Sequence, residues 1–121
     1  MATVTVHVNN EVFVINANGE LGYEDMITIA NEYNANTLIR VAVWNLANSN
    51  LSIEARARIK QNTLSGVYEL GSPPLKKIIF VTEYGTDYSL LSILSVMAEV
   101  HSVGIEYHTC RSMNDARDWI H

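Results

Sequence analysis

The chain is poor in the residues that most sharply restrict what a protein can be. Of its 121 residues only 1 is cysteine and 2 are proline. A lone thiol, Cys110, closes no intramolecular disulfide, which suits a reducing compartment such as the cytoplasm. The prolines sit together at Pro73 and Pro74, so no proline-rich linker divides the sequence, and no repeat or low-complexity tract is present. Positive charge is also scarce: 8 Lys and Arg stand against 13 Asp and Glu, a formal net charge of -5. Basic residues gather only at Lys76-Lys77 and at the spaced Arg56, Arg58 and Lys60. Nucleic-acid binding needs a concentrated positive footprint to displace counterions from phosphates, so no nucleic-acid partner is expected. Long hydrophobic runs are missing too. The most apolar stretch, Leu90 to Val100, is broken by Ser92, Ser95 and Glu99 and falls short of the ~20 residues that span a bilayer. The opening residues Met1 to Asn10 lack the charged region and apolar core of a signal peptide, a second reason to expect a cytoplasmic protein without a membrane span.

What is present is enough to build a core. Hydrophobic residues make up 48% of the chain and charged residues 17%, and a chain of this length fits one domain, residues 1–121, burying roughly two-thirds of its unfolded surface. Val4, Val6 and Val8 alternate, Asn9-Asn10 tolerates positive φ, and Val12 to Ile15 follows; two strands joined by a tight turn are expected, the second ending at Asn18-Gly19. From Gly22 the period becomes helical through Met26, Ala30 and Tyr33, with Glu24 and Asp25 in the first turn where the helix dipole favours them. Leu38 to Trp44 is nearly continuous in apolar residues, as in a strand covered on both faces. Asn45 to Asn50 reads as a polar loop. Ser52 is a good N-cap for a second helix running to about Leu70, which Gly71 ends.

Ile78 to Thr82 supplies a fourth strand and Glu83 to Asp87 a short polar turn. Thr86 or Asp87 is expected to cap a third helix reaching about Ser102. Ile105 to Thr109 supplies a fifth strand, and Ser112 with Asp115 forms a capping box for a last helix buried through Met113, Ala116 and Ile120. The order ββαβαβαβα predicts an α/β fold with a mainly parallel five-stranded sheet, an antiparallel edge strand and helices packed on the sheet.

This order at this length resembles the STAS domains of anti-sigma-factor antagonists and sulfate-transporter tails, and more closely the SpoIIAA-like family, related to the lipid-binding Sec14 (CRAL-TRIO) fold. The residues that carry the resemblance are Gly19 to Leu21, Arg40 to Leu46, Lys77 to Thr82, Val103 to His108 and the closing Asn114 to Ile120. The closing stretch has the alanine, two residues, tryptophan, aliphatic ending of that family. The resemblance implies a regulatory module without catalysis. In the phosphoswitch members a serine opens the helix after the third strand, a position that maps onto Ser49 to Ser52. The Asp and Gly of that motif are absent here, where Asn48 to Glu54 stands instead. Ser52 nonetheless sits at a helix N-terminus, where amides and the dipole would stabilise a phosphate; it serves equally as a plain cap.

Other chemistry is weakly signalled. Glu106, His108 and Cys110 share one face of the fifth strand, but ligands two residues apart splay about 7 Å, too wide to chelate one ion unaided. His7, His101 and His121 have no partner at ligand spacing. No catalytic residue, metal or cofactor is expected, and Tyr84 to Asp87 lacks the Lys-Ser/Thr of a nucleotide phosphate loop. Ligands of open α/β sheets sit beyond the carboxyl ends of the strands, which singles out Trp44, Asn45, Tyr84, Gly85, Thr86 and Asp87 as a candidate ligand or partner site. The third helix carries one polar stripe, Ser92, Ser95, Glu99 and Ser102, and is apolar elsewhere. That is wider than packing on a sheet requires, so a homodimer through Leu91, Leu94 and Met97 is expected, with an apolar, lipid-like ligand as the alternative occupant. The sequence thus points to a regulatory or protein-interaction module, or else to a small carrier or sensor of an apolar ligand.

Overall fold

A computed structural model describes residues 2–101 and 103–120 of the chain. Strands β1 (Thr3–Asn9) and β2 (Val12–Leu21) form a hairpin, followed by α1 (Tyr23–Ala35), β3 (Val41–Leu51), α2 (Ile53–Leu64), β4 (Lys77–Val81), α3 (Gly85–Val100), β5 (Glu106–Cys110) and α4 (Met113–Ile120). The sheet order is β1-β2-β3-β4-β5, antiparallel between β1 and β2 and parallel thereafter. The expected α/β architecture with an antiparallel edge strand is therefore the one observed. Asn10 turns the hairpin at φ 57°, the left-handed conformation that asparagine tolerates.

Strands laid down in sequence order, joined by crossovers of one hand, must place every connecting helix on the same face. Accordingly α1, α2 and α3 bury Met26, Tyr33, Ile59, Leu91 and Leu94 against Phe13, Ile15, Trp44 and Phe80 in one large core. Among the described residues the opposite face has only α4, whose Ala116 packs on Val41, Val43, Ile79, Val81 and Cys110. Over β1 and β2 that second face is uncovered. Alternation along the strands sets Thr3, Thr5, His7, Asn16 and Asn18 there, all of them exposed.

Several boundaries differ from the sequence expectation. β3 begins at Val41, leaving Leu38 exposed, and it does not stop at Trp44. The expected loop from Asn45 to Asn50 is strand, because β2 also continues past Gly19 and pairs with it through Asn18–Asn48 and Leu21–Leu51. The pairing shifts between Asn16 and Asn18, and Gly19 takes φ 94° just beyond, so the irregularity of a bulge lies where the strand was expected to end. α2 ends at Leu64 rather than near Leu70, since Gly66 adopts φ 73° and terminates it. α3 is capped at Tyr84, not by the side chain of Thr86 or Asp87. Ser52 and Ser112 cap as expected, accepting from the amides of Ala55 at 3.0 Å and Asp115 at 3.2 Å. Ser102 and His121 lie outside the described residues.

The core contains one polar chain. The indole N–H of Trp44 donates to the Tyr33 hydroxyl at 3.3 Å, and that hydroxyl donates to the Leu70 carbonyl. Phe13 and Trp44 meet the Tyr33 ring edge-on, with centroids 5.5 and 6.1 Å away. Burial raises the phenol far above its ordinary value, so it stays a neutral donor. This hydroxyl pins the irregular segment after α2 onto the sheet. Tyr33→Phe leaves an indole N–H and a carbonyl unpaired at once, and should lower unfolding free energy in urea by about 2–4 kcal/mol.

Candidate functional site

The carboxyl end of the sheet is stepped. β4 leaves the pairing at Val81, opposite Asn45, while β3 runs on to Leu51. In the angle of the step lies a shallow depression of about 350 Å³, lined by Ala47, Asn48, Ser49, Asn50, Glu83 and Tyr84. Pairing with Asn18 and Glu20 puts Asn48 and Asn50 on the face that α1 to α3 leave uncovered. Tyr84 forms the far wall with 45% of its surface exposed.

Asp87 holds the step together. It is 1% exposed at the start of α3, and its Oδ2 accepts the amide of Leu51, the last residue of β3, at 2.8 Å. Its Oδ1 faces Arg56 Nε of α2 at 3.8 Å, too long for a hydrogen bond but close enough to balance charge. The same guanidinium lies 5.7 Å from the centre of the Tyr84 ring, within reach of a cation–π contact. One carboxylate thus joins β3, α2 and α3. Desolvation pushes the Asp87 carboxyl up from its ordinary 3.8, against the opposing pull of the Leu51 amide and Arg56.

The candidate residues named from the sequence are only partly brought together. Tyr84, Gly85 and Thr86 are exposed at the start of α3, and a Cβ added at Gly85 would meet nothing within 4 Å. Asp87 lies beneath them as a tie rather than a contact surface. Trp44 is elsewhere: it is 0% exposed and faces the large core, so it offers no aromatic surface to this end. Asn45 is half-buried on the opposite face, donating to Asn16 Oδ1 at 2.9 Å. Ser49 is buried within β3 and donates to the Gly19 carbonyl at 2.6 Å, so it does not open a helix; Ser52 is half-buried and does. Arg56, Asn48, Asn50 and Glu83 were not singled out from the sequence. The spacing of Arg56 one turn after Ser52 was the only signal for it.

The α3 contact set also needs correction. Leu91 is 0% and Leu94 6% exposed, both committed to the chain's own core, and Met97 is half-buried. The apolar surface this helix shows outward is Ile93, Val96 and Val100. Beside Leu94 and Ile59 lies a space of about 10 Å³, room for roughly one water and not for a lipid-like molecule. On the α4 face, His108 stacks on Trp119 with centroids 4.0 Å apart and lies 3.4 Å from Glu106 Oε2. Cys110 is buried, and desolvation, helped by the Asp115 charge, pushes its thiol up against the opposing pull of a Ser112 backbone hydrogen bond, which disfavours the reactive thiolate. Among the described residues, no helix is long and apolar enough to cross a membrane.

Two solved structures share this architecture. An uncharacterised protein of the DUF3478 family from Shewanella loihica PV-4, described as having a SpoIIAA-like fold, superposes with a TM-score of 0.56 at 17% identity, covering 99% of this chain and 93% of that one. The anti-sigma factor antagonist SpoIIAA in its unphosphorylated form superposes at 0.54 with 15% identity, covering 98% and 97%. The chain has a SpoIIAA-like α/β fold. No protein-family model and no curated protein sequence matches it.

The buried carboxylate makes a pH prediction. With its folded-state value above 3.8, the native protein holds a proton that the unfolded chain releases. Asp87 therefore favours the native state fully below the unfolded value, and that contribution is lost as pH rises through the folded one. The stability difference between the protein and its Asp87→Asn variant, from urea unfolding, should shift toward the variant as pH rises above 3.8.

Proposed function

We propose that this protein is a non-enzymatic regulatory module that works by binding a protein partner at the stepped end of its sheet. The observation that carries the reading is the way Asp87 fixes that step: the exposed Tyr84 and Asn48 and the half-buried Asn50 stand on a frame tied through Leu51 and Arg56. A preformed surface loses little freedom on binding, so modest contacts suffice there. Amides offer both donors and acceptors without charge, and Tyr84 offers a large ring at small entropic cost. The Ser49 hydroxyl that lines the depression is committed to the Gly19 carbonyl, and the fold shared with SpoIIAA supports regulation over catalysis.

Modification at this end falls to Ser52 rather than Ser49 in our reading. A phosphate on Ser52 would sit at the N-terminus of α2, with Arg56 one turn along. Ser49 would have to leave the strand ladder first. The reading places the working surface in the cytoplasm and assigns no cofactor.

A photo-crosslinking residue substituted for Tyr84, and separately for Thr5 on the uncovered face, tests this in the cells that make the protein. A discrete crosslinked protein should appear with the Tyr84 probe alone, and should weaken when Asn48→Lys is added. Equal crosslinking from both positions, or from neither, would sink the assignment.

A further inference from the structure

Among the described residues β5 is the last strand of the sheet and pairs only with β4. Its ladder bonds fix which way its backbone groups point. Glu106 donates to the Lys76 carbonyl and Cys110 accepts from Thr82, so Glu106, His108 and Cys110 face β4. Alternation then turns the N–H and C=O of Tyr107 and Thr109 outward. Along this edge runs a groove in two continuous stretches that share Glu99, Tyr107 and His108. One is about 660 Å³ and extends to Lys76 and Val103; the other is about 230 Å³ and extends to Ser92 and Val96. The wall is α3, held over the edge by the hydrogen bond between Ser95 and Thr109 at 2.9 Å. From that wall Val96, 60% exposed, faces the groove beside Ser92 and Ser95.

A free strand edge beneath a helix wall is the geometry in which an extended peptide adds as a further strand, with backbone bonds for affinity and alternate side chains for selectivity. We propose that the β5–α3 groove is a second docking surface, separate from the stepped end, for an extended basic segment of a partner protein. One set of alternate side chains on the added strand meets Val96 and Val103. The other set passes Glu106, whose side chain is 69% exposed. Lys77 and His108 already lie within 4.0 Å and 3.4 Å of that carboxylate on the α4 side. Glu99 adds an exposed carboxylate on the wall, and Lys76 closes one end. The charge around the groove selects the occupant. A second copy adding through its own β5 would bring another Glu99 and Glu106 into the same neighbourhood, and the chain as a whole carries -5. A Lys- or Arg-bearing strand meets those carboxylates with opposite sign.

The test uses the full chain and two capped peptides of equal length, one alternating valine with lysine and the other valine with glutamate. Amide hydrogen exchange and chemical shifts locate binding, and sedimentation reports self-association. The valine–lysine peptide should protect the Tyr107 and Thr109 amides and bind about three- to fivefold tighter than the valine–glutamate peptide. Glu99→Lys with Glu106→Lys should invert that preference. Thr109→Pro removes an outward donor while leaving the β4 pairing, a position where edge strands accept proline, and should abolish binding of both. If that variant does not fold, the charge-reversal pair decides. Equal affinity for both peptides, shifts confined to Asn48 and Tyr84, or a sedimenting dimer that protects the same amides would each overturn the proposal.

Discussion

Crossovers of one hand between strands laid down in sequence order leave the connecting helices a single face to occupy. Every distinctive feature of this molecule follows from that restriction. α1, α2 and α3 crowd one side and enclose Trp44, Tyr33 and Phe80, while the other side receives only α4 and stays open over β1 and β2. The growing edge of the sheet ends at β5 with no strand beyond it. α3, as the last helix of the series, has α2 on one flank and nothing comparable on the other. Its outward apolar stripe is thus a consequence of position: inward residues Leu91, Leu94 and Ala98 are satisfied by the core, and Ile93, Val96 and Val100 are left exposed.

The element order and sheet class were legible because the periodic signals were strong and the connections short. The phase of β3 was not. Val41, Ala42, Val43 and Trp44 are all apolar, so nothing in the sequence says which pair faces the three-helix side. The structure turns Ala42 and Trp44 inward to Tyr33 and gives Val41 and Val43 to α4. That one ambiguity removed Trp44 from the candidate site. The second half of β3 was hidden for a different reason. Asparagine is depleted in strands, so Asn45, Asn48 and Asn50 read as loop, although pairing with the extended β2 overrides their local preference.

The third helix shows the limit of reading amphipathicity from counts. Excess apolar surface was correctly detected, but its direction was assigned to Leu91 and Leu94, which are buried in the chain's own core. Only the position of the sheet beneath fixes the angular phase. Asp87 was equally opaque. Its place in the first turn matched a cap, yet a cap satisfies its own helix, whereas this carboxylate satisfies the end of a strand that the sequence did not extend so far. The misread role of Asp87 and the shortened β3 share one source, since without β3 reaching Leu51 there is no amide for Asp87 to meet.

The stepped end therefore depends on residues that disfavour the very structure they occupy. A strand ending at Trp44 would leave no ledge beyond β4 and no surface between Asn48 and Tyr84. Threonine or valine at Asn48 and Asn50 would favour the strand more strongly, as Thr3 and Thr5 do on the same uncovered face. Where local preference and observed structure conflict in this way, the conflict points to a role outside folding. The exposed amides of β3 cost the sheet some stability and add nothing to its core, which is the physical argument for placing recognition there.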